Sequence, residues 1–515
     1  MRMTLSKSAN RLIKKRDLIH LTILLAIALG IGIYLIATTV LIAQDGVFYI
    51  EQAQKITTEP INVIKSLYGR PSGYAFIIFA AHKFTTFFSN SSSVFTWIYS
   101  AQGITLLCRV FSLIPLYLIG KVFTGSRNSF WAILILIVLP YPAEFGSDVI
   151  REWPHILFLS TGLLFLICGS RFGKWWMFAV AGIASGLGHT VRPECAQIVI
   201  YGILWLSINL FRARPKMGRL KSICAATLLL LGFAVIAAPY MKVRGRVLPP
   251  KLKALFGCTA PHQSDGIEAS IFDEHAGPNA ASALPIDILK ALVRLVREIS
   301  DNLMYIFVLP LVVGLYCHFH RLRKILLTER FFIFALMVLY LVMMMLLYIN
   351  YDYISRRHCM PIVVFTSFYI PVGLHILARW LSRRTCRNDL VVKKNRRRLY
   401  LIFMAVGFSI CTVKFVRISP LRCEKQGYLD AAKWLRENTA PKEIVAVPDN
   451  LIAFYAERTG LVYSKQAPKR ANYIVRIVQN DDAKPGFGKE TKEEYSTLLD
   501  KRKKSERKVV IYRML

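Results

Sequence analysis

Apolar residues along this chain gather in long, nearly unbroken runs. The clear ones lie near 18–42, 94–119, 128–144, 152–169, 174–191, 194–211, 220–241, 301–318, 330–350, 359–378 and 399–417. A helical run of about 18 or more such residues matches the ~30 Å hydrocarbon core of a bilayer. These runs predict about 11 transmembrane helices. One further stretch, 72–89, follows Pro71 and carries His82 and Lys83 in its middle. Beyond residue 418 the pattern turns polar and mixed. Tyr428, Ala431, Ala432 and Leu435 share one face of a helix over 427–438. Ile444 to Val447 reads as a strand, 450–458 as a helix, and 471–478 and 508–514 as strands. The expected fold is an α-helical polytopic membrane protein. A transmembrane module covers 1–418 and a small α/β domain covers 419–515.

Composition agrees. Residues of AVILMFWYC type make up 54% and charged residues only 19%, which excludes a soluble enzyme, a disordered chain and a disulfide scaffold. Lys and Arg number 67 against 31 Asp and Glu, a net charge of +36. In a soluble protein that excess would suggest nucleic acid. Here no basic cluster accompanies a recognisable nucleic-acid fold, and basic loops that set membrane topology explain the charge. With 72–89 kept out of the membrane, Lys121, Arg171, Arg212, Arg330 and the Arg383–Arg398 run all fall on the side of the basic N-terminus. The N-terminus is therefore expected in the cytoplasm. Outside lie 43–93 with juxtamembrane helices, 145–151, 242–300 and the tail. Segment 285–299 reads as a basic amphipathic helix at the interface. The first apolar run is too long for a cleaved leader. The cysteines form no CxxC, and Cys258 and Cys423 could pair if both lie on an oxidising side.

Ionisable groups at a membrane boundary are costly, which makes them candidates for function. On this topology Asp45, Glu51, Asp148, Arg151, Glu152, His189, Arg192, Glu194, Arg244, Arg246, Arg356, Arg357 and His358 face one side. Carboxylates there can accept the proton of an attacking hydroxyl. Arginines can bind a phosphate leaving group and balance its developing charge. A single boundary arginine more often caps a span or meets headgroups. Asp45, an acid at the end of an apolar span, has no such bland task. Gly182, Gly186 and Gly188 fit close helix packing better than phosphate binding.

The motifs resemble the GT-C membrane glycosyltransferases, in the bacterial branch that includes protein O-mannosyltransferases and the lipid A aminoarabinose transferase. Asp45-Gly46-Val47-Phe48-Tyr49-Ile50-Glu51 looks like the family's first-loop motif. Arg70-Pro71-Ser72-Gly73-Tyr74, Gly186 to Glu194 and Arg357-His358-Cys359-Met360-Pro361 resemble three later stretches, and 431–458 resembles the opening of the C-terminal domain. The resemblance implies transfer of a sugar from a polyprenyl-phosphate donor to a lipid, glycan or protein acceptor at the extracytoplasmic face of a bacterial inner membrane. It puts the catalytic base on Asp45 and a second acid on Asp148 or Glu152. It implies that Tyr49, Arg70, Arg151, Arg192, Glu194, Arg244 and Arg357 contact the donor. Gly46 stands where many members have a second acid, and His358 where a Tyr is usual. No cofactor is required by the residues, and a divalent metal is left open. The competing expectations are a transporter or flippase of lipid-linked intermediates, and a non-catalytic member of the family.

Overall fold

The computed structural model describes residues 14–65, 71–89, 93–212, 215–245, 285–320, 328–385, 388–463, 468, 470–479, 491–500 and 507–514. Arg70, Arg246, Cys258 and most of the 242–300 segment lie outside these residues. The first helices are α1 (Lys15–Thr38), α2 (Gln44–Lys55), α3 (Pro60–Lys65), α4 (Gly73–Ser89), α5 (Val94–Thr124), α6 (Ser126–Val138) and α7 (Pro140–Phe145). Then come α8 (Glu152–Phe172), α9 (Trp176–Val191), α10 (Gln197–Leu210), α11 (Arg219–Arg244), α12 (Pro285–Asn302) and α13 (Val308–Phe319). The bundle closes with α14 (Arg330–Tyr351), α15 (Met360–Thr366), α16 (Ile370–Thr385) and α17 (Asp389–Ile418).

Among the described residues, 8 helical segments are long and apolar enough to cross a membrane. They are α1, α5, α8, α10 with its 3-10 lead-in, α11, α14, α15 running into α16, and α17. Three shorter apolar helices, α6, α9 and α13, fall on the remaining apolar runs. Helix α4 is not among the long segments. It packs on the start of α5, with the His82 ring stacked 3.5 Å from Trp97. Helix α12 buries the narrow edge Ala291 and Leu295 and leaves Leu289, Val293 and Val296 exposed. Glycines let α9 and α11 touch backbone to backbone. A Cβ on Gly182 would stand 2.2 Å from the Leu229 carbonyl oxygen, and one on Gly232 2.5 Å from that of Ala179.

The tail folds as α18 (Gln426–Asn438), β1 (Ile444–Val447), α19 (Asn450–Ala456), β2 (Thr459–Val462), β3 (Tyr473–Gln479), β4 (Thr491–Leu498) and β5 (Arg507–Met514). The sheet order is β2-β1-β3-β5-β4. Strand β1 pairs parallel with β2 and β3, while β5 runs antiparallel between β3 and β4. Asp449 caps α19 by accepting from the Leu451 N–H at 3.1 Å. The tail is not packed on itself alone. Leu435, Val445, Leu451 and Tyr455 share one apolar core with Ile42, Val47, Ile50, Ile78 and Val149. Three backbone links tie it to the segment after α1. Val40 donates to the Leu421 carbonyl at 3.1 Å, Ile42 to the Tyr455 hydroxyl at 3.0 Å, and Arg422 to the Leu41 carbonyl at 2.9 Å.

Candidate active site at one end of the helix bundle

Several separate stretches of sequence meet at one end of the bundle, and small residues let them do so. Gly46, in the first turn of α2, lies on Val149: a Cβ there would be 2.8 Å from the Val149 Cβ. Gly73, the first residue of α4, abuts Thr190 at the end of α9. Ser72 donates its backbone N–H to the Tyr240 hydroxyl at 3.1 Å. Asn302 reaches from the end of α12 to the Arg356 carbonyl at 3.0 Å.

Asp45 sits in the first turn of α2, where the helix N-terminus favours an acid. Its Oδ2 accepts from Arg357 Nη1 at 2.8 Å. Both side chains stay reachable, the arginine 32% and the acid 36% exposed. Beside them is a deeper pair. Glu152 opens α8, and its Oε1 lies 3.9 Å from Arg192 Nη2, with both side chains 7% exposed. Arg192 precedes Pro193, which forces it out of the helical region to φ −146 and ψ 125 and ends α9 there. Burial opposes the charge on Arg357, but Glu152 and Asp45 outweigh it and hold the guanidinium above its ordinary range. Arg192 is likewise held up by Glu194 and Glu152 against its burial, with Tyr340 and Tyr49 in electrostatic reach.

Five buried atoms in this cluster have no hydrogen-bond partner among the described residues: Arg151 Nη1, Glu152 Oε2, His155 Nδ1, Arg192 Nε and Glu194 Oε2. Buried polar atoms are normally paired, so this concentration makes the cluster a candidate site for a polar ligand. His155, one turn along α8 from Glu152, was missed in the sequence reading. It is fully buried, with Nε2 3.4 Å from the Tyr340 hydroxyl. That hydroxyl accepts from Gln197 at 3.0 Å, and Tyr201 donates to the same glutamine at 2.6 Å. A histidine inside an apolar span was the available signal.

The other candidates are placed differently. Asp148 is buried and fully engaged. Its Oδ1 accepts from the N–H groups of Ala43 at 2.9 Å and Val149 at 2.7 Å, and its Oδ2 pairs with Arg422. It clamps the loop that presents Asp45. Glu51 accepts from Asn450 in the tail at 3.2 Å. Tyr49 is buried, its ring 5.0 Å edge-on from Tyr74. Arg244 ends α11 over the Tyr240 ring at 6.0 Å, in an adjoining group with His189. Arg356 turns away onto Tyr141 at 4.1 Å. Among the described residues no group of three His, Cys, Asp or Glu could hold a metal ion. Asp45 and Glu152 are each paired with an arginine.

No family model and no curated protein matches this sequence. Solved structures do resemble it. ArnT from Cupriavidus metallidurans in the apo state matches with a TM-score of 0.55 and 12% identity, over 95% of this chain and 97% of that one. The same protein bound to undecaprenyl phosphate matches with 0.55 and 12%, over 86% of each chain. The Archaeoglobus fulgidus oligosaccharyltransferase, tethered with an acceptor peptide containing the NVT sequon, matches with 0.58 and 12%, over 90% of this chain and 69% of that one. At such identities the likeness is one of architecture, and the architecture is the GT-C fold expected from the motifs.

Proposed function

We propose that this chain is an integral-membrane glycosyltransferase. It moves a sugar from a polyprenyl-phosphate-linked donor to a hydroxyl on a lipid, glycan or protein at the extracytoplasmic face. The observation that carries this reading is the reachable Asp45–Arg357 pair beside the buried Glu152–Arg192 pair, with five unpaired polar atoms around them. The fold supports it, because one neighbour holds undecaprenyl phosphate and another, the archaeal oligosaccharyltransferase AglB, was solved with a dolichol-phosphate.

In this mechanism the donor phosphate enters between the helix ends and takes hydrogen bonds from Arg357, Arg192 and Arg151. Arg357 then turns from the Asp45 carboxylate to the phosphate. The acceptor oxygen attacks the anomeric carbon as its proton passes to Asp45. The bond from that carbon to the phosphate oxygen breaks, and the arginines balance the charge on the departing lipid phosphate. A single displacement of this kind inverts the anomeric centre. Glu152 and Glu194, through their unpaired oxygens, accept hydrogen bonds from sugar hydroxyls. Arg244 extends the basic rim from the end of α11, and Tyr49 backs Arg192.

Gly46 does not weaken the reading. Val149 fills the space a side chain would need there, and Glu152 brings a second acid from the adjoining turn. The basic residues at the opposite helix ends support a cytoplasmic N-terminus, and hence a site facing out of a bacterial inner membrane. The test compares glycolipids, glycans and glycoproteins by mass spectrometry from cells carrying the wild type or Asp45→Asn. The expected result is a glycan lacking one sugar unit in the variant. Transfer at the wild-type level by a folded Asp45→Asn would remove Asp45 as the base.

A further inference from the structure

At the other end of the bundle, four helices leave a cavity of about 310 Å³. Its wall consists of Val122 and Phe123 from α5, Arg171 from α8, His318 from α13, and Thr328, Glu329 and Arg330 at the start of α14. Helix α8 carries Glu152 at one end and Arg171 at the other. Its 21 residues put the cavity about 30 Å from the charged cluster, so the two are separate sites.

The wall is cationic, and its one acid is already occupied. Glu329 accepts from Lys216 at 2.8 Å. Arg330 is fixed in the wall by donating Nη1 to the His318 carbonyl at 2.9 Å. Arg171 stands exposed at the rim. His318 Nε2 is buried with no hydrogen-bond partner among the described residues. The Tyr369 ring lies 4.8 Å from the His318 ring, fully buried, and its hydroxyl is also unpartnered. The C-termini of α5, α8 and α13 each bring about half a negative charge here, and the start of α14 about half a positive one. The two arginines, with Glu329 neutralised by Lys216, outweigh that sum.

We infer that this cavity binds a phosphate ester, the headgroup of an anionic phospholipid from the leaflet at that end of the bundle. Arg171 and Arg330 hold the phosphate oxygens, and His318 donates from the cavity wall. Phe123 and Val122 offer an apolar side for the start of an acyl chain. Basic pockets between membrane helices bind such headgroups on physical grounds. A water in liquid occupies about 30 Å³, so the cavity exceeds what one or two waters fill.

The test uses the full chain, purified and delipidated in detergent. Binding is read by native mass spectrometry and by thermal unfolding, with phosphatidylglycerol, phosphatidylcholine or inorganic phosphate as the added probe. Phosphatidylglycerol should bind and raise the unfolding temperature, phosphatidylcholine should not, and Arg171→Gln and Arg330→Gln should each weaken the effect about tenfold. Inorganic phosphate that protects alone, and fails in the same variants, supports the phosphate site with a soluble source. Equal binding of the two lipids, or unchanged binding in the variants, overturns the inference. If Arg330→Gln does not fold, Arg171→Gln alone decides. Asp45→Asn should bind the lipid as the wild type does, so the result stands apart from the transferase reading.

Discussion

Asp148 and Glu152 belong to one short turn, both are buried, and they meet opposite fates. Every bonding position Asp148 needs is taken by two backbone N–H groups and Arg422. Glu152 has one loose partner at 3.9 Å and one oxygen with none. Burial alone therefore does not tell the two acids apart. Saturation does. A carboxylate with its lone pairs used holds the fold, and one left short is kept so by the fold at a cost of about 1–3 kcal/mol. A ligand can recover that cost on binding.

The contrast can be broken in graded steps. Asp45→Asn should lower sugar transfer by about 10²–10⁴-fold, the usual contribution of a general base, while the unfolding temperature in detergent stays near the wild-type value. Asp148→Asn should do the reverse. It leaves Arg422 facing a neutral group, and thermal or denaturant unfolding should report a loss of about 3–5 kcal/mol. Removing Arg422 as well, as Asp148→Asn with Arg422→Gln, should cost less than the sum of the two single changes. Glu152→Gln keeps the shape and should lower transfer by about 10- to 100-fold, the size of a charged hydrogen bond, with little change in stability. Gly46→Ala should act on stability, to about the same extent as Glu152→Gln acts on transfer. Its new methyl meets the Val149 Cβ at 2.8 Å, so unfolding should shift by about 1–3 kcal/mol.

The apolar runs and the helix of the tail were legible because burial there writes a period or a length into the sequence. The strand Ile444–Val447 was legible for the same reason, being central and buried. Strands β2 and β4 were not. They are the outer members of the sheet, and stretches such as Thr491–Leu498 are mostly polar, with no apolar alternation to read. At the site, Asp45, Glu152, Arg192 and Arg357 could be found because charge at the edge of an apolar span is conspicuous. The partner of Asp148 could not, since Arg422 lies 274 residues away among many other basic residues. His155 was passed over because it was counted as part of its span.

The links from Val40, Leu41 and Ile42 to Leu421, Arg422 and Tyr455 also impose an order in time. Ile42 and Tyr455 are separated by 413 residues. A ribosome adding about 5–20 residues per second needs roughly 20–80 s to cover that distance. Throughout that interval the segment leading into α2 has left the ribosome, and although Asp148 is made early, its links to the tail are not complete. The half-made protein can therefore sit in its membrane with its helices inserted and its chemistry unassembled. The set of links on the loop before Asp45 is complete only when Tyr455 arrives.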